Sequence, residues 1–179
     1  MKTKFGLIRH GTTDWNIERR IQGWSDIPLN ARGRREVSIL AKTLKGQDWE
    51  FIITSDLKRA KETGRIIGDH LEIPFFTFEG LRERKFGPVE GMTIGELRAA
   101  YPDSDGELLL PGLESRQEIN ERALTVMNLL TVLFHDRRIL IVSHGGFLRA
   151  FFLSLGLNRK VPENAEMIEV TWEGSWNIL

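Results

Sequence analysis

Three short apolar runs constrain this chain more than any other feature: Phe5-Gly6-Leu7-Ile8, Phe51-Ile52-Ile53 and Ile139-Leu140-Ile141-Val142. Each is too short for a helix and none alternates with polar residues, so each reads as a strand buried on both faces. Strands of that kind belong in a sheet covered by helices on both sides. Helical patterns fill the intervals. Asn30 is a cap before Val37, Leu40, Ala41 and Leu44, and Gly46 is a natural stop. A second helix runs from Leu57 to Leu71, with Ala60, Ile67 and Leu71 on one face. Thr93 and Glu96 have capping-box spacing and open a short helix to Ala100, ended by Tyr101-Pro102-Asp103. Ser115 and Glu118 repeat the box before a long stripe from Ile119 through Ala123, Met127 and Leu130 to Phe134. A last helix spans Phe147 to Leu155.

The opening run extends back to Lys4, and two further strands are expected: Ile73 to Phe78, and Glu166 to Trp172, which alternates as an edge strand would. Trp176 to Leu179 is placed to pair back as a hairpin, and the alternating C-terminal strand is a candidate for pairing across a homodimer. The expected fold is α/β: a three-layer sandwich with a mostly parallel central sheet, helices on both faces and a small helical cap insertion. A single domain over residues 1–179 suits the length, with the cap over about residues 84–114.

Composition excludes several functions. Lys+Arg and Asp+Glu number 25 each, so the formal charge is zero and nothing points to nucleic acid or an acidic membrane surface. There is no cysteine, which removes disulfides, thiolate metal sites and cysteine nucleophiles. No apolar run approaches the ~20 residues that span a bilayer. The chain enters its first strand without a charged-then-apolar leader, so a cytoplasmic location is expected.

In open α/β sheets ligands bind beyond the carboxyl ends of the strands. Two histidines stand at such exits, in Arg9-His10-Gly11-Thr12 and Ser143-His144-Gly145-Gly146. Together with nearby arginines they suggest phosphoryl transfer through a histidine. A phosphate monoester carries about two negative charges near neutral pH, and its transfer is mostly positioning and charge stabilisation. Arginine suits this because its planar fork meets two phosphate oxygens. Arg9 and Arg59 are the candidates; Arg59 falls in the first turn of its helix, where its side chain can point back over the strand exit.

A neutral imidazole nitrogen can attack phosphorus if the other nitrogen is fixed by a hydrogen bond, which backbone near Gly11 could provide. His144 would donate to the phosphoryl oxygens and add charge if protonated. The leaving group needs an acid. The loop Arg82-Glu83-Arg84-Lys85 is a plausible source, with Glu83 held ionised if its three cations are close in space. Thr12 to Pro28 reads as a long polar loop, which inside a compact domain is usually functional. His70 and His135 sit at helix ends and read as structural. Arg32-Gly33-Arg34-Arg35 reads as a solvated helix face. No Lys-Ser or Lys-Thr nucleotide loop is present. No His-x-His or His-Glu-x-x-His spacing marks a metal, and no metal or cofactor is expected.

Several motifs now occur in a fixed order: Arg9-His10-Gly11, Asn16, Gln22-Gly23, Ser55-Asp56-Leu57-Lys58-Arg59-Ala60, Leu81-Arg82-Glu83, Phe86-Gly87, Glu90-Gly91, Pro111-Gly112-Leu113-Glu114-Ser115 and Ser143-His144-Gly145-Gly146. The set resembles the histidine phosphatase superfamily, in the branch that includes cofactor-dependent phosphoglycerate mutases. The likeness runs from about Lys4 to about Leu155. It implies that His10 is phosphorylated and that Arg9, Arg59 and His144 bind the phosphoryl group with help from Asn16. Gln22, Gly23 and Gly145 would also contact substrate. It further implies that Glu83 protonates the leaving group and then deprotonates the attacking water. The pattern departs from the family at Asp56, where proline is frequent, at Gly112-Leu113, where a glycine pair is frequent, and at Val89, where an aromatic residue often forms the pocket wall.

The resemblance implies a metal-independent phosphomonoesterase acting on a small phosphorylated metabolite. The alternative is a phosphoglycerate mutase, which must also hold a substrate carboxylate and shield the phosphohistidine from water. Family mutases use a longer insert with paired basic residues, whereas Arg98 and Arg116 read as isolated here. A protein phosphohistidine phosphatase would favour an open pocket, against the expected cap. A binding module with a dead site fits poorly with a full set of reacting residues.

Overall fold

The computed structural model describes residues 2–102, 108 and 110–178. Six strands form one sheet: β1 (Thr3–Arg9), β2 (Phe51–Thr54), β3 (Phe75–Thr77), β4 (Arg138–Ser143), β5 (Met167–Trp172) and β6 (Trp176–Ile178). Their order is β3-β2-β4-β1-β5-β6. The first four are mutually parallel, and β5 and β6 add in antiparallel fashion. The described helices are α1 (Asp14–Ile17), α2 (Ala31–Leu44), α3 (Lys58–Leu71), α4 (Ile94–Ala100), α5 (Arg116–Leu133) and α6 (Gly145–Ser154).

The continuous apolar runs follow from two separate cores. Phe5 and Leu7 of β1, Ile53 of β2, and Ile139 and Ile141 of β4 pack with Ile119, Ala123 and Met127 of α5 and Phe147 and Phe151 of α6. The alternate residues Ile8, Ile52, Leu140 and Val142 pack on the opposite face with Val37, Ala41 and Leu44 of α2 and Ala60 and Ile67 of α3. Successive strand side chains point to opposite faces, so a sheet with helices on both sides makes every central position apolar. The three-layer α/β sandwich is thus present.

The register sets the site. In the parallel β1–β4 pair Ile8 stands opposite Val142 and Arg9 opposite Ser143. The His10 N–H then donates to the Ser143 carbonyl at 3.0 Å. The two strands end level, so the residues leaving them, His10 and His144, emerge side by side.

Four local expectations change. The polar loop from Thr12 contains a helical turn, α1, closed by a capping box between Thr13 and Asn16; asparagine rather than Glu or Gln at the third position hides it. The strand at Glu166–Trp172 is not the last of the sheet: β5 is paired with β1 from Met167 to Trp172 and with β6 at Val170–Trp172, so β6 is the outermost described strand. Helix α6 starts at Gly145, so both glycines that read as loop lie in its first turn. Strand β3 is only three residues long, beginning after Pro74. Asp103, expected in the turn after α4, and Leu179, expected in the hairpin, lie outside the described residues.

Among the described residues no helix is long and apolar enough to cross a membrane. His70 is exposed in the last turn of α3, and His135 pairs with Asp136 beyond α5.

Candidate active site

The strand exits bring the His10 and His144 rings to 5.1 Å between centroids, both buried. His10 Nδ1 lies 2.8 Å from the Gly11 carbonyl oxygen. In the neutral ring Nδ1–H donates this bond, and Nε2 keeps its free electron pair. The turn is itself fixed: the Gly11 N–H donates to Thr63 Oγ1 at 3.1 Å, and that hydroxyl donates to the Arg59 carbonyl at 2.7 Å. Burial, and then the Arg59 charge, hold His10 well below the ordinary imidazole value of 6.5. Burial holds His144 well below the same value, with Arg59 and His10 adding to the effect. Both rings are neutral near pH 7, so His144 carries no charge before an anion arrives.

Arg59, the second residue of α3, is fully buried. Its guanidinium donates to the Ser25 carbonyl at 2.8 Å and the Gly23 carbonyl at 2.7 Å. Burial lowers it to about 10, while Glu83, Asp26 and Glu90 act in the opposite sense; it stays charged at neutral pH. Arg9 ends β1 and lies against the start of α6, where a Cβ on Gly145 would sit 3.3 Å from its Cζ. Five buried side-chain nitrogens have no hydrogen-bond partner among the described residues: Arg9 Nε, Arg59 Nε, His144 Nδ1 and Nε2, and, at the start of β4, Arg138 Nε. Buried polar atoms left without a partner are rare in proteins. The first four belong to residues grouped around the His10 ring, and an oxyanion suits the two arginine N–H groups and whichever His144 nitrogen carries the proton.

Glu83 is placed differently from the expectation. Arg82 makes a two-point pair with Asp56, and Arg84 Nε donates to the Glu114 carbonyl. The Glu83 carboxylate instead accepts from the backbone N–H groups of Arg84 (2.8 Å), Gly146 (3.0 Å) and Phe147 (3.0 Å). The last two are free donors of the first turn of α6, where helix geometry leaves N–H groups without internal partners.

A cavity of about 440 Å³ joins these groups, within the range of small-ligand sites. Arg9, His10, Asn16, Gln22, Gly23, Arg59 and Glu83 all line it. His144 and Gly145 do not; they stand behind the lining, one against His10 and the other against Arg9. Asn16 Oδ1 is used by the Thr13 N–H and hydroxyl, which leaves its amide nitrogen to the cavity. The rest of the wall includes Trp15, Ile21, Phe86 and Ile94. Val89 is buried elsewhere, so Phe86 is the aromatic wall of this loop. Among the described residues no group of three His, Asp or Glu side chains could hold a metal ion.

Three residues have roles that the sequence did not assign, although Glu90 falls in the Glu90-Gly91 motif. Glu90 fastens the 23–25 segment to the Phe86–Gly87 turn, Trp24 Nε1 donates to the Glu83 carbonyl at 2.8 Å, and Arg122 donates to the carbonyls of Gly80, Arg82 and Glu83. Apart from the Glu90 bonds to the nearby Phe86 and Gly87 N–H groups, these contacts span long sequence separations. Arg116, read as isolated, in fact shares a second cavity of about 300 Å³ with Arg84 and Arg149. Arg98 is exposed on α4.

The family model for the histidine phosphatase superfamily (branch 1) matches residues 5–178. The chain belongs to that family. Among relatives, a Bacillus subtilis protein named uncharacterized phosphatase PhoE is 36% identical over 149 residues, covering 83% of this chain and 75% of the relative. A 2,3-bisphosphoglycerate-dependent phosphoglycerate mutase 2 from Gloeobacter violaceus is 28% identical over 178 residues, covering 93% and 80%. Among solved structures, a mycobacterial glucosyl-3-phosphoglycerate phosphatase in complex with VO3 superposes with a TM-score of 0.86 at 25% identity, covering 98% of this chain and 96% of that one. The pair that Asp56 makes with Arg82 ties the α3 entrance to the Glu83 loop.

Proposed function

We propose that this chain is a metal-independent phosphomonoesterase that hydrolyses a small phosphorylated metabolite through a phosphohistidine at His10, within one domain whose residues 84–114 form the cap. The observation that carries this reading is a neutral His10, Nε2 free, beside four unpartnered nitrogens of Arg9, Arg59 and His144.

The Nε2 electron pair attacks phosphorus and the ester P–O bond breaks. Arg9, Arg59 and His144 meet the charge on the three equatorial oxygens, where positioned donors contribute most. Asn16, Gln22, Gly23 and Gly145 complete the contacts. Glu83 passes a proton to the leaving oxygen. It then takes one from a water molecule that attacks phosphorus, and the P–N bond breaks to release phosphate. As phosphate binds, its charge favours protonated His144 and offsets the opposing effect of the arginines.

A second reading is favoured by Arg84, Arg116 and Arg149, whose shared cavity would suit the carboxylate that a mutase must hold. One assay separates the two. The chain should hydrolyse a chromogenic aryl phosphate without added metal, and His10→Ala should abolish turnover. Phosphoglycerate interconversion should stay at background with and without a bisphosphoglycerate primer. Full activity in His10→Ala removes the histidine mechanism, and primer-dependent interconversion replaces the phosphatase by the mutase.

A further inference from the structure

Glu90 takes no part in the chemistry above, yet its carboxylate accepts more hydrogen bonds than that of Glu83. Oε1 accepts from the backbone N–H groups of Trp24 (2.9 Å), Phe86 (3.1 Å) and Gly87 (3.1 Å). Oε2 accepts from the Ser25 N–H (2.8 Å) and the Ser25 hydroxyl (2.7 Å). The 23–25 segment lies so close to this carboxylate that a Cβ on Gly23 would fall 2.1 Å from Oε1. Gly23 also has φ of +52°, a backbone region open to glycine at little cost.

The same segment supplies both carbonyls that hold Arg59, from Gly23 and Ser25. Two of the five guanidinium N–H groups are thereby fixed, and because the group is planar and rigid the directions of the other three are fixed with them. Trp24, between those residues, reaches the Glu83 carbonyl through its indole N–H. The segment thus touches the phosphate-binding arginine on one side and the backbone of the leaving-group acid on the other, and Glu90 anchors it from behind.

We propose that Glu90 is a positioning residue: it aims Arg59 at the phosphoryl group by clamping residues 23–25. The proposal rests on the phosphomonoesterase reading but makes its claim on anion binding, which can be measured without turnover. A carboxylate suits the place because four of the five groups facing it are backbone N–H donors and the fifth is the Ser25 hydroxyl. An amide would turn an NH2 either toward the three N–H groups of Trp24, Phe86 and Gly87, or toward Ser25, where the hydroxyl can turn to accept but the N–H cannot.

The test uses the full chain and orthovanadate as probe. Glu90→Gln should weaken vanadate binding about tenfold, the equivalent of one lost hydrogen bond to a charged acceptor. KM for aryl phosphates should rise in step for good and poor leaving groups alike. Arg59→Lys should weaken binding too, and in that background Glu90→Gln should add little, because residues acting through one another are not additive. Ser25→Ala, which removes only one of the five bonds, should give a smaller change in the same direction and serves if Glu90→Gln does not fold. Unchanged vanadate affinity in a folded Glu90→Gln, or in Ser25→Ala where the first does not fold, overturns the proposal. Full additivity with Arg59→Lys also overturns it, as does a wild-type chain that binds no vanadate. A wild-type chain that binds vanadate but hydrolyses no phosphomonoester overturns the functional reading alone.

Discussion

Gly146→Ala separates the Glu83 carboxylate from its seat on α6. A Cβ at residue 146 would lie 2.2 Å from Oε1, 3.0 Å from Cδ and 3.3 Å from Oε2 of Glu83. The carboxylate ends a flexible side chain, so it moves and the helix stays. What is lost is its bonds to the Gly146 and Phe147 N–H groups, each 3.0 Å long. A hydrogen bond to a charged group contributes about 1.5–3 kcal/mol. Both freed donors lie in a first helical turn, where water can replace part of that, and alanine is favoured over glycine in a helix by about 1 kcal/mol. The net loss should be about 1–3 kcal/mol, read as a lower urea midpoint at unchanged slope. Activity should fall more for aryl phosphates with poor leaving groups than for good ones, since general acids contribute about 10²–10⁴ where a proton is needed. Unchanged stability together with an unchanged dependence on the leaving group would refute the placement of Glu83 at this helix terminus as a working element of the site.

The remaining predictions use other assays. Because His10 and His144 are held below 6.5 in the folded chain, the unfolded chain takes up protons near that value that the folded chain refuses. Stability without phosphate should therefore be level above about pH 7 and fall as pH drops below 6.5, by at most about 1.4 kcal/mol per pH unit for each histidine. Urea titrations at stepped pH check this, and His144→Gln should flatten the fall. Glu72, exposed at the end of α3, has φ of +57°; Glu72→Gly should raise stability by about 0.5–1 kcal/mol, since glycine enters this region freely. Glu83→Gln should slow poor leaving groups far more than good ones, and equal slowing would contradict its role as acid.

The sandwich was legible because burial on both faces writes an unbroken apolar run, as at Ile139–Val142, and helices write a 3.6-residue stripe, as in α5. His10, His144, Arg9 and Arg59 were legible because strand exits and first helical turns are places that sequence marks. The position of β5 was not, because alternation says nothing of which strands pair on either side, here β1 and, over Val170–Trp172, β6. Glu83 was reached through the family likeness, and its local cations misdirected the reading: Arg82 is drawn to Asp56, and the helix terminus supplies the donors. The roles of Glu90, Trp24 and Arg122 rest largely on backbone groups distant in sequence, such as Ser25 N–H to Glu90 and Arg122 to the Gly80 carbonyl. Backbone partners carry no side-chain signature, so even the Glu90-Gly91 motif did not disclose what Glu90 holds.

The most direct measurement is the identity of the phosphorylated atom. The protein is mixed with an aryl phosphate, quenched in alkali within the first turnover, and mapped by peptide mass spectrometry with phosphorus NMR. One phosphoryl group on His10 Nε2, formed and lost at rates that match turnover, is the expected result. Turnover with no label on His10, or with the label on another residue, contradicts the covalent role assigned to this imidazole.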